Sequence, residues 1–140
     1  MRLSDQRGQA LIESLLLGML LLVPLIWALG VLADLHRGAL ATAAAAREAG
    51  FQAATASSDT TASGAIEAAV ERALSDGGID HRRARVSWAA VPRLERGAAV
   101  EVEVSYPVTV LQAPFLGRVA GPSIWVTSRH VARIDPYRSL

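Results

Sequence analysis

Residues 7–33 read RGQALIESLLLGMLLLVPLIWALGVLA, and within them residues 14–33 are 20 consecutive positions without a charge. At about 1.5 Å of rise per residue, a helix of that length spans roughly the 30 Å hydrocarbon core of a bilayer. Leu, Ile and Val cover every side of such a helix, whereas a helix at the core of a water-soluble domain keeps a polar face at 3.6-residue spacing. The stretch is therefore expected to cross a membrane. Arg2 and Arg7 precede it, and Asp34, His36 and Arg37 follow it. The leading positive residues favour a single-pass topology in the cell membrane, with the N-terminus cytoplasmic and the C-terminal domain extracytoplasmic. A secretory signal has an apolar region of about 7–15 residues before a small-residue cleavage site. This run is longer, and the Ala-rich sequence after it continues the helix.

The 140 residues leave room for that segment and one small domain. Hydrophobic residues make up 51% of the chain but aromatics only 5%, so Ala, Leu and Val carry the apolar content. All 14 basic residues are Arg and the net charge is +1. The arginines are scattered and form no stripe able to neutralise a phosphate backbone, so no nucleic-acid partner is expected. The absence of cysteine excludes a disulfide framework and any Cys-ligated metal. His36, His81 and His130 have no metal-ligand spacing, and residues 76–81, DGGIDH, match a helix terminator and lack most of a calcium loop. With no nucleophile elbow, phosphate-binding glycine loop or thiol nucleophile, the chain is read as having no catalytic residue and no cofactor, and as not an enzyme.

Beyond the membrane segment, residues 38–54, GALATAAAAREAGFQAA, are dominated by the strongest helix former. The helix is expected to continue outward for roughly 60 Å between Glu13 and Ala54, with a bend or kink at Pro24. Ala41, Ala44, Ala45 and Ala49 form a small-residue surface that permits close helix contact, or simply reflect the abundance of Ala. Residues 55–63 read as a loop, with Ser63 capping a helix from about Gly64 to Asp76 whose Ile66, Val70 and Leu74 share a face. From Arg83 the period changes to two: Val86, Trp88 and Ala90 alternate with polar or small residues. After a turn at residues 92–97, Val100, Val102, Val104 and Tyr106 mark a second strand that Pro107 interrupts or ends. Residues 112–122 form a loop whose Phe115 and Leu116 either face a partner or tuck beneath the sheet. A third strand covers residues 123–134. The fold class is α+β: a long N-terminal transmembrane and stem helix, then a second helix and a small antiparallel sheet.

The junction Arg7-Gly8-Gln9-Ala10-Leu11-Ile12-Glu13-Ser14 resembles the class III signal of type IV pilins and pseudopilins. With AAAAREAGFQAA outside the membrane and the late VEVEVSYPVTVL segment, the chain as a whole resembles TadE-like minor pseudopilins of the tight-adherence (Flp) pilus system. The resemblance implies that a prepilin peptidase cuts between Gly8 and Gln9, making Glu13 the fifth mature residue, where pilin families carry a glutamate. It divides the chain into a leader at 1–8, a transmembrane and stem helix at 9–54 and an extracytoplasmic α+β domain at 55–140. It further implies partners: prepilin peptidase, other pilins or pseudopilins, the inner-membrane assembly platform and membrane lipid. The activity implied is assembly, as a minor subunit of a bacterial adhesion pilus or related secretion machine.

Physical chemistry gives Glu13 a reason of its own. A carboxylate at the rim of a membrane helix is costly unless paired or interfacial, and the α-amino group freed on a neighbouring subunit supplies a cation. The alternative is a carboxylate solvated among headgroups, in a single-pass anchored binding protein that does not polymerise.

Overall fold

The computed structural model describes residues 3–91, 94, 97–110 and 121–135, with side chains from residue 8 onward. The chain is α+β, in the order α1 (Leu3–Thr55), α2 (Asp59–Asp76), a short 3₁₀ turn (His81–Arg83), β1 (Arg85–Val91), β2 (Ala99–Thr109) and β3 (Ser123–Arg133). Two compact units divide it, Met1–Asp34 and Leu35–Leu140.

The first unit is the apolar part of α1, which runs on through Pro24. It is long and apolar enough to cross a membrane once. From Gly8 to Gly30 every residue is exposed, so these leucines and valines take part in no core of their own chain.

The second unit is built on a three-stranded antiparallel sheet in the order β1-β2-β3. Ser105 of β2 lies between Arg85 and Thr127, and Val102 between Trp88 and His130. The even-numbered face of β2 carries the core, with Val100, Val102 and Val104 fully buried. On the other face Arg129 bridges Glu101 at 2.9 Å and Glu103 at 3.1 Å, across the β2–β3 ladder. Those groups are solvent-exposed to a third or more, so the pairing contributes little to stability.

The part of α1 beyond Leu35 is the first element of this core. Its buried positions form two rows at i, i+4 spacing: Gly38, Thr42, Ala46 and Gly50, and Ala41, Ala45, Ala49 and Ala53. The first row lies along β3. A Cβ on Gly38 would meet Val108 at 3.0 Å and Val126 at 3.9 Å, and one on Gly50 would meet the His130 ring at 2.7 Å. Between them Thr42, fully buried, shares a 2.9 Å hydroxyl–hydroxyl hydrogen bond with Ser128. The second row meets α2, where a Cβ on Gly77 would approach that of Ala41 to 2.9 Å. The alanine stripe is thus spent within the chain, with the exception of Ala44, which is exposed.

Three expectations need correction. The second helix begins at Asp59, not Gly64, and its cap is Ser58 in place of Ser63. The Ser58 Oγ accepts the Thr61 N–H at 3.2 Å, Asp59 places a negative charge in the first turn, and Ala62 is buried. These local gains outweigh the polar, loop-like composition of residues 55–63. Strand β2 does not stop at Pro107 but continues to Thr109, paired with β3 at Pro107↔Trp125 and Val108↔Ile124. The last β1 partner is Arg85 against Ser105, so the proline lies where β2 has a neighbour on one side only, a position that tolerates a missing N–H. Finally, residues 81–83 form a 3₁₀ turn capped by Asp80, and the first strand starts at Arg85. Pro92, Phe115 and Leu116 lie outside the described residues.

Candidate functional site

Gly8 and Gln9 are adjacent near the start of α1 and Glu13 lies one turn after Gln9, all exposed. A Cβ placed on Gly8 meets nothing within 4 Å. The described residues therefore place no steric demand for glycine there, as they place none at Gly18 or Gly30. Gln9 Nε2 donates to Glu13 Oε1 at 3.3 Å, the i, i+4 contact that helical spacing provides. The Ser14 hydroxyl turns back to the Ala10 carbonyl at 2.8 Å, which satisfies its polarity beside the apolar run. Around the Glu13 carboxylate, Ile12, Leu15 and Leu16 stand exposed. The carboxylate thus stands at the start of a stretch of exposed aliphatic side chains.

The structure does not bring the three histidines together in a metal site. Among the described residues no group of three or more His, Cys, Asp or Glu is placed to hold a metal ion. His81 lies 3.6 Å from Glu71, and His130 packs against Gly50. Residues 76–81 act as a helix stop. Gly78 takes φ +69°, Ile79 N–H reaches Leu74 O at 2.9 Å and Gly78 N–H reaches Ser75 O at 2.9 Å, the paired bonds of a Schellman motif. Asp80 then accepts the Arg82 N–H at 3.1 Å. Two open grooves flank the Arg47 and Phe51 ridge of α1. One of about 740 Å³ against α2 has an alanine floor and a rim of Arg47, Glu48, Arg72 and Asp76. The other, about 480 Å³, lies against β3.

Two cation–aromatic pairs, their rings on opposite faces of the sheet, escaped the sequence reading. At the end of the sheet beside Gly38, the Arg85 guanidinium lies 4.1 Å from the Trp125 ring centre, and that of Arg83 lies 5.6 Å from Tyr106. Arg83 also donates to Thr109 Oγ1 at 3.3 Å. The signal was the run His81-Arg82-Arg83-Ala84-Arg85, a local concentration that whole-chain charge conceals. No family model, no curated protein and no solved structure matches the chain.

Proposed function

We propose that this chain is a minor pseudopilin of the TadE-like kind, a single-pass membrane subunit of a tight-adherence pilus or related secretion machine. Its N-terminus faces the cytoplasm, and its α+β domain stands outside the membrane. A prepilin peptidase removes residues 1–8. Glu13 then pairs with the α-amino group of Gln9 on a neighbouring subunit and sets the axial register of packed helices, while the assembly platform inserts the subunit beside other pilins.

The observation that carries this reading is the junction itself: an exposed Gly with no steric role, Gln9, a carboxylate at Glu13, and a fully exposed aliphatic helix from there to Gly30. A plain membrane anchor needs the last of these but neither the bare Gly8 nor a carboxylate at the hydrocarbon boundary.

The test is co-expression with a prepilin peptidase, followed by intact-mass analysis, and pilus yield in cells whose only copy carries Glu13→Ala. The expected outcome is a mature chain beginning at Gln9, cleavage blocked by Gly8→Val, and lost pili with a stable, processed Glu13→Ala protein. An uncleaved chain with normal pili in the Glu13→Ala cells would support the anchored, non-polymerising protein instead.

A further inference from the structure

We propose that the end of the sheet nearest Gly38 is a docking surface for anionic phospholipid headgroups, with Trp125 as its interfacial anchor and Arg82, Arg83 and Arg85 as its cationic contacts. The proposal rests on the reading of α1 as a membrane span.

The register assembles this surface. Gly38 packs on Val108 and Val126, so the chain enters its second unit beside the end of β2 and the start of β3. Arg85 opens β1 level with Thr127. The same end therefore presents Ile124, 48% exposed, and Trp125, 42% exposed. A half-exposed indole beside an exposed aliphatic residue wastes apolar area in water but matches the region where Trp is enriched in membrane proteins. Among the described residues, Arg83 and Arg85 are partnered by ring faces and a hydroxyl and by no carboxylate. Arg82 is exposed; the acids nearby are Asp80, which accepts the Arg82 N–H, and Glu71, 3.6 Å from His81. Three arginines against those two carboxylates, next to a half-exposed indole, fit an anionic bilayer surface.

Chain connectivity keeps that surface within reach of the membrane. Gly38 is five positions after Ala33, the last residue of the uncharged run, and five residues extend at most about 18 Å. The headgroup layer adds about 5–8 Å on each side of the hydrocarbon core. A surface held on so short a tether meets lipid headgroups at high effective concentration, so modest contacts suffice to dock it.

The test uses the full chain reconstituted in bilayers of neutral phosphatidylcholine, or of phosphatidylcholine with phosphatidylglycerol, containing brominated lipids. Two single-Trp proteins are compared: Trp27→Phe with Trp88→Phe leaves Trp125, and Trp88→Phe with Trp125→Phe leaves Trp27. The expected result is quenching of Trp125 by shallow bromolipids in the anionic bilayer, weakened in neutral lipid and at high salt. Replacing Arg82, Arg83 and Arg85 by Gln should shift the docked-to-undocked ratio by on the order of a hundredfold, at about fivefold for each basic residue. Trp27 quenched by deep bromolipids while Trp125 stays unquenched in both bilayers would overturn the docking surface and leave the membrane span standing. If neither indole is quenched, both fall. Equal quenching of Trp125 in neutral and anionic bilayers would overturn the role of the arginines.

Discussion

Ala44 and Ala45 are adjacent in sequence and chemically identical, yet the fold gives them opposite fates, so enlarging each in turn tests where the alanine stripe is used. Ala45 has no exposed surface and sits in the core cluster with Ile66, Leu74 and the β2 valines, whereas Ala44 is exposed. Ala45→Leu forces three more carbon atoms into packed space and is expected to cost about 1–3 kcal/mol. Intrinsic helix propensity barely distinguishes Leu from Ala, so nothing local offsets that loss. Ala44→Leu should stay within about 0.5 kcal/mol of the parent. At roughly 4–8 °C per kcal/mol for a domain near 100 residues, Ala45→Leu should lower Tm by about 4–24 °C and Ala44→Leu by under about 4 °C. The assay is thermal unfolding of the full chain in detergent, followed by Trp fluorescence in a Trp27→Phe background so that Trp88 and Trp125 report on the second unit. Equal shifts for the two variants, or a larger one for Ala44→Leu, would refute the intramolecular packing of the stripe.

Two further outcomes follow from named contacts. Thr42→Val keeps the volume but strips the hydroxyl that faces Ser128, and should lower unfolding stability by about 1–3 kcal/mol; adding Ser128→Ala should restore part of the loss, because no hydroxyl is then left unpartnered. Ser58→Ala should cost about 1 kcal/mol in urea unfolding by removing the cap on α2, whereas Ser58→Asn, which can accept the same bond, should cost little.

The elements with a strong period were legible before any coordinates. Residues 14–33 announce an apolar helix by length, and the Val100-Val102-Val104 alternation names both the strand and its buried face. The boundaries that went astray were set by single hydrogen bonds or by pairing. Ser58 and Ser63 are equally plausible caps by residue type, and only the Thr61 N–H selects the first. The continuation of β2 past Pro107 depends on where β1 ends, a non-local fact. The alanine stripe was ambiguous because small residues permit close approach without specifying the partner, which proved to be this chain's own β3 and α2. At the candidate site, Gly8, Gln9 and Glu13 were readable because they lie within six consecutive residues. The Arg83–Tyr106 and Arg85–Trp125 pairs were not, because strands distant in sequence bring them together.

A helix face made only of Gly, Ala and Thr is smooth, and smoothness has a mechanical consequence. From Gly38 to Ala53 the buried positions of α1 are only Gly, Ala and Thr, and two features index them against the sheet: the Thr42–Ser128 hydroxyl pair and the notch at Gly50 that receives His130. Along this contact α1 and β3 run in the same direction, from Gly38 beside Val126 to Gly50 beside His130 and Ala132. Tension drawn along α1 from Leu35 therefore loads the joint in shear, so that both indexing features and the sliding interface must yield together and not peel apart one contact at a time.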